Sequence, residues 1–162
     1  MVEIDSKHET VGAVPVLQRN AADLGFAVFR IALGGFFLYH GVWHFHKGMD
    51  FFTGIMNFVN VPAPSFTAHV VATFEILAGA CLVIGLGTRI LSAIGIAMML
   101  VTGFYVKIHG LHLGFLGPSG SGGSETDFLY LLGFLVLVIS GGGPYSVDRI
   151  LQTDARLANL VR

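Results

Sequence analysis

LGFAVFRIALGGFFLYHGVW (Leu24–Trp43) and FTAHVVATFEILAGACLVIGL (Phe66–Leu86) decide the fold of this chain. Each run is long enough to cross a bilayer core, which takes about 20 apolar residues. Each also carries one charge well inside it, Arg30 in the first run and Glu75 in the second. On insertion scales such a group costs roughly 2.5–3.5 kcal/mol at mid-membrane, so it needs a partner or a task.

The rest of the composition agrees with a membrane setting. Of 162 residues, 54% are hydrophobic and only 12% are charged, and the mean hydropathy is +0.75. A soluble domain carries about 25% charged residues. The net charge of −1 and the lack of a basic stripe exclude nucleic acid as a partner. The lone cysteine, Cys81, excludes an internal disulfide or a CxxC pair and reads as a packing residue. Residues 1–23 contain no apolar core, so they are not a cleavable signal peptide; the first apolar run reads as an uncleaved anchor.

Two further apolar runs follow, Ile90–Lys107 and Asp127–Ser140. Within lipid a segment must satisfy its own backbone hydrogen bonds, and none of the runs alternates with period two, so all read as helices. The expected fold is all-α, an integral membrane four-helix bundle. An interfacial segment is expected between its first two helices, around Phe51, Phe52, Ile55 and Met56, ended by Pro62 and Pro64. The expected organisation is a cytoplasmic tail at 1–23, a transmembrane domain at 24–145 and a cytoplasmic amphipathic tail at 146–162, where Ile150, Leu151, Leu157, Leu160 and Val161 recur at roughly helical spacing. Four crossings place both termini on one side together with Lys7, Arg19, Arg89, Arg149, Arg156 and Arg162, leaving Lys47 and Lys107 on the other. The positive-inside rule makes that side the cytoplasm of a multi-pass protein of the inner, or plasma, membrane.

Three stretches carry a resemblance. Phe29-Arg30-Ile31-Ala32-Leu33-Gly34, continuing through Leu38-Tyr39-His40-Gly41, resembles the opening helix of the DoxX family. Phe74-Glu75-Ile76-Leu77-Ala78-Gly79 and Gly85-Leu86-Gly87-Thr88-Arg89 resemble its second helix and turn. Gly141-Gly142-Gly143-Pro144-Tyr145-Ser146-Val147-Asp148-Arg149-Ile150-Leu151 is similar to its closing signature. One departure is His44, at a position where members often carry a lysine. The resemblance implies a small four-helix inner-membrane protein, with some relatives linked to quinone-coupled redox chemistry.

The candidate site starts from the two charges. Counting 1.5 Å per residue, Arg30 lies roughly 9 Å into the first helix and Glu75 about 14 Å into the second, at similar depths. Ala27, Arg30, Gly34 and Gly41 share one stripe, and Ala68, Ala72, Glu75 and Gly79 another. Stripes of small residues let helices approach closely, so an Arg30–Glu75 ion pair inside the bundle is expected, either as a register-fixing contact or as a proton site. A polar pocket of His40, His44, Tyr105 and His109 is expected beside it, because Met98, Thr102, Tyr105, His109 and His112 step along one α-helical face. His44-x-His46 and His109-x-x-His112 are weak metal patterns without a cysteine, so no metal site is expected from them. Acidic Asp127 reads as a helix-dipole partner, and Asp148 as an interfacial pair with Arg149 or a cap. Trp43, Tyr130 and Tyr145 read as interface anchors.

No flavin, dinucleotide or dithiol motif is present, so no catalytic residue is assigned and electron transfer by the chain alone is not expected. The leading expectation is a redox-associated membrane subunit working with quinone, the sole cofactor candidate, or with a partner oxidoreductase subunit. Membrane lipid is a further partner, and homo-oligomers are compatible. The alternatives are a small proton-coupled carrier and a structural or assembly protein without catalysis.

Overall fold

A computed structural model describes residues 7–117 and 122–152. Helix α1 spans Lys7–Lys47, α2 Met49–Phe58, α3 Pro64–Ile84 and α4 Thr88–Leu100. A π-helical continuation of α4 covers Val101–Gly110, and α5 spans Glu125–Ser140. No strand occurs among the described residues. Among the described residues, three helical segments are long and apolar enough to cross a membrane: Gln18–Lys47, Pro64–Ile84 and Thr88–Gly110. Helix α5 is equally apolar in character but has 16 residues.

Helix α1 starts well before Leu24. Between Val16 and Asp23 the chain offers Gln18, Arg19, Ala21 and Ala22, and no glycine or proline that would end a helix. Residues 147–152 begin a further helical turn. The Ser146 hydroxyl caps it by accepting the Arg149 amide at 3.2 Å. The remainder of the expected amphipathic tail, with Leu157, Leu160 and Val161, lies outside the described residues.

The main seam joins α1 to α3, and the two stripes of small residues form it. A Cβ on Gly34 would lie 2.9 Å from the Gly79 carbonyl, and one on Gly41 would lie 2.7 Å from the Ala72 carbonyl. Side chains larger than hydrogen would therefore push two backbones apart. These contacts also fix an antiparallel register in which Gly34 faces Gly79 and Leu82, while Gly41 faces Ala72 and Glu75. The same close approach joins α4 to α5, where the Phe134 ring fills the space over Gly95. Phe37, Ala78, Leu82, Met99, Phe134 and Leu137 form the central core. Phe52 and Met56 of α2 pack on Ala68 and Ala72, tethering the short helix across one end of α3.

The register corrects the expected ion pair. Glu75 stands level with His40 and Gly41, ten residues along α1 from Arg30, which is about 15 Å at helical rise. Side chains on a helix also lean toward its N-terminus, so on antiparallel helices Arg30 and Glu75 lean away from each other. Arg30 makes no ion pair with Glu75. It is 2% exposed and donates to the carbonyls of Leu82 (3.0 Å), Tyr145 (2.8 Å) and Gly142, with a longer contact to Val83 (3.4 Å). These carbonyls belong to the C-terminal end of α3, where the helix dipole is negative, and to the segment after α5; Leu82 O accepts the Gly85 amide as well, at 3.1 Å.

Asp148 completes this end. Its carboxylate accepts the amides of Gly87 (2.7 Å) and Thr88 (2.9 Å), capping α4 from a distant segment, and its own amide donates to Gly85 O at 2.9 Å. The turn it clasps holds Gly85 and Gly87 at φ 76° and 62°, which only glycine adopts without strain. Burial alone pushes the Asp148 carboxyl up, but the Thr88 and Gly87 amides and the Arg30 charge outweigh it, so it titrates below its ordinary value.

Candidate functional site

At the other end of the bundle α1, α2, α3, the π-helical segment and α5 surround a cavity of about 400 Å³. That lies within the range of small-molecule sites, about 300–1,000 Å³. Its walls are largely apolar and aromatic, with Phe37, Trp43, Phe52, Met56, Met99 and Tyr130 among them. Two polar clusters line it, one carried by α1 and α3 and the other by the π-helical segment and α5.

The first cluster contains Glu75, His40 and His44. Glu75 is 3% exposed and His44 8%, while the His40 side chain is 52% exposed. His40 Nδ1 stands 3.3 Å from Glu75 Oε2, and His44 Nε2 3.6 Å from the same oxygen. His40 and His44 are four residues apart, so one α-helical face presents both rings. The two rings meet edge to face, 4.8 Å between centroids, and Phe52 of α2 stacks on His44 at 3.9 Å.

The second cluster is Thr102, Lys107 and Asp127. Lys107 Nζ lies 2.6 Å from Asp127 Oδ2 and also donates to Gly123 O at 3.1 Å. The Thr102 hydroxyl donates to Asp127 Oδ1 at 2.8 Å. Asp127 thus has more than a dipole role in the first turn of α5: it is the acceptor for two groups on the neighbouring helix. Gly103 lets it approach, since a Cβ there would lie 3.3 Å from the Asp127 Cβ.

The π-helical geometry explains why sequence spacing missed this second cluster. Thr102 and Lys107 are five residues apart, about 140° around an α-helix of 3.6 residues per turn. With hydrogen bonds running i to i+5, that spacing returns to one face. The expected α-helical face through Tyr105, His109 and His112 breaks for the same reason. Tyr105 donates to Val59 O at 3.3 Å, outside the cavity. His109 is exposed beside the Tyr105 ring, and exposed His112 sits past the helix at φ 53°.

Of the residues expected at the site, the structure therefore brings together Glu75, His40 and His44, and leaves out Arg30, Tyr105 and His109. Trp43 and Tyr130, read as interface anchors, line the cavity instead. Tyr39 points outward at 65% exposure. Cys81 is a half-buried free thiol on α3.

Comparison with known proteins places this arrangement in a family. The DoxX family model matches residues 25–108. A Mycobacterium tuberculosis protein named "Uncharacterized membrane protein Rv3486" is 31% identical, with 78% of this chain and 80% of that protein aligned. A Bacillus subtilis protein named "Putative oxidoreductase CatD" is 28% identical, with 78% and 86% aligned. No solved structure matches the chain significantly. The matched region holds α1 from its apolar half through the π-helical segment, with Glu75, both cavity histidines and Lys107, and the chain belongs to the DoxX family.

Proposed function

We propose that the protein is the membrane component of a redox system and that its cavity receives the ring of a quinone. One observation carries this reading: an aromatic-walled cavity with hydrogen-bonding groups from two sets of helices, His40 and His44 on α1 and, on the π-helical segment, Lys107, whose ammonium has a third proton beyond those directed to Asp127 and Gly123. A quinone ring carries two carbonyl oxygens on opposite edges and an apolar face, and those groups offer partners for both oxygens. When bound, a quinone would supply the two-electron carrier that the chain lacks. The protein's own groups would orient the ring, shield it from water through α2, and hold protons at the imidazoles and at Glu75. The relative named as an oxidoreductase agrees with this class of work. The carrier alternative rested on a mid-depth Arg30–Glu75 pair, which the bundle does not form.

The same reading extends to topology. Helix α5 runs antiparallel to α4, from Asp127 beside Gly103 at one end to Gly141 beside Arg89 at the other. Its 16 residues span about 24 Å, short of a core about 30 Å thick, and in this reading the glycine-rich segment that follows completes a fourth crossing of the bundle. Helix α2 then lies in the interface at the cavity mouth. Arg19, Arg89 and Arg149 fall toward the Arg30 end, which is the cytoplasmic side of the plasma membrane by the positive-inside rule. A soluble oxidoreductase subunit, or a second copy of the chain, is the partner this arrangement would serve.

The test uses Trp43, the single tryptophan of the chain and a cavity residue. A short-tailed quinone analogue added to the purified, chelator-treated protein in detergent should quench its fluorescence saturably. Lys107→Met should weaken that binding about tenfold or more, since a hydrogen bond from a charged donor contributes about 1.5–3 kcal/mol. Linear, unsaturable quenching that is identical in the variant would overturn the proposal.

A further inference from the structure

The convergence of His40, His44 and Glu75 is not explained by hydrogen bonding alone. Good N–H···O bonds span 2.7–3.2 Å, whereas the two imidazole nitrogens stand 3.3 and 3.6 Å from the same carboxylate oxygen. One ligating atom from each of the three residues lies within 4.8 Å of the other two. With metal–ligand bonds of 2.0–2.1 Å, a coordination tetrahedron has edges of about 3.3–3.4 Å. An octahedron of the same bond length has edges of about 2.8–3.0 Å. The two spacings to the Glu75 oxygen, 3.3 and 3.6 Å, lie nearer the first figure than the second, and the third edge, between the two imidazole nitrogens, is no longer than 4.8 Å.

We infer that His40, His44 and Glu75 form a site for a single divalent ion of zinc-like chemistry, held by three protein ligands with an open position toward the cavity. The inference goes beyond the quinone reading and does not depend on it; the proton-holding role of these three groups belongs to the metal-free protein, because a ligating atom must be deprotonated. Burial supports it: Glu75 is a carboxylate 3% exposed in a membrane bundle, where an uncompensated charge is expensive. Lys107, which lines the same cavity, is engaged by Asp127. A divalent ion would neutralise Glu75 and satisfy both imidazoles at once. Two imidazoles and a carboxylate suit zinc and its first-row neighbours and disfavour magnesium or calcium, which take all-oxygen sites. The stacked Phe52 ring holds the His44 imidazole in place. The i, i+4 histidine spacing is visible in the sequence, but its third ligand lies 31 residues further on and is revealed only by the α1–α3 register.

The experiment takes the full-length, tag-free protein in detergent, stripped by a chelator, and titrates it with Co²⁺ and then Zn²⁺ with no quinone present. The expected result is one Co²⁺ per chain with the intense visible absorption of a tetrahedral ion, displaced by Zn²⁺. His40→Gln should lower the affinity at least tenfold; its half-exposed ring can be replaced without opening the core, so this variant reads binding rather than folding. Glu75→Gln and His44→Gln should act in the same direction, and a His109→Gln, His112→Gln double variant should bind as the parent does. An octahedral-type or absent visible spectrum, or parental affinity in His40→Gln, would overturn the inference, as would loss of binding confined to the His109, His112 variant. The quinone titration is run on metal-free protein, so the two readings fail separately.

Discussion

Replacing Arg30 by methionine gives the most direct measure of what holds this bundle together. The guanidinium donates to the carbonyls of Leu82, Gly142 and Tyr145. Hydrogen bonds to charged groups contribute about 1.5–3 kcal/mol each, so three represent about 4.5–9 kcal/mol of gross interaction. Methionine also removes the burden of a charge in the membrane, about 2.5–3.5 kcal/mol on insertion scales. The net expectation is a loss of about 1–6 kcal/mol, read as a lower midpoint when the helical signal is followed during unfolding in mixed anionic and non-ionic detergent. The informative step is the double-mutant cycle. With Glu75→Gln, Arg30→Met should be additive within about 0.5 kcal/mol, because the two sites share no partner and lie far apart. With Asp148→Asn it should couple by more than that, since the Arg30 charge acts on that carboxylate. A coupling above about 1 kcal/mol between Arg30 and Glu75 would refute the register on which the site is built.

Other outcomes follow from the same geometry. Asp148 has a folded-state pKa below its ordinary value of 3.8, so its stabilisation is complete above that value and is lost as pH falls through the depressed one; Asp148→Asn should flatten the acid limb of the unfolding midpoint against pH. Gly79→Val should cost about 1–3 kcal/mol by overpacking, because a Cβ there would lie 2.7 Å from the Gly34 carbonyl, while Gly35→Ala, with open space around it, should be neutral or slightly stabilising by the same assay. Lys107→Met strands the buried Asp127 carboxylate and should destabilise by about 3–5 kcal/mol, with much of the loss recovered in a Lys107→Met, Asp127→Asn double variant. Thr102→Val, which removes one neutral donor to that carboxylate, should cost nearer 1–3 kcal/mol in the same measurement.

The helical membrane character of the chain was legible in its residues because it depends on local composition: long apolar runs must close their own hydrogen bonds in lipid, whatever their neighbours do. The small-residue stripes through Gly34, Gly41, Ala72 and Gly79 were legible for a similar reason, since side-chain phase around a helix is set by the chain itself. Which residues meet across the seam was not. That depends on the axial offset between α1 and α3, set where glycine backbones touch, and a shift of a few residues sends Arg30 to helix-end carbonyls and Glu75 to two histidines. The Thr102, Lys107 and Asp127 cluster was hidden more deeply, because a spacing of five joins one face only after the helix has widened. The residues by themselves determined that this protein is a set of helices made for lipid, whereas the packing register and a change of helical pitch decided where its polar chemistry gathers.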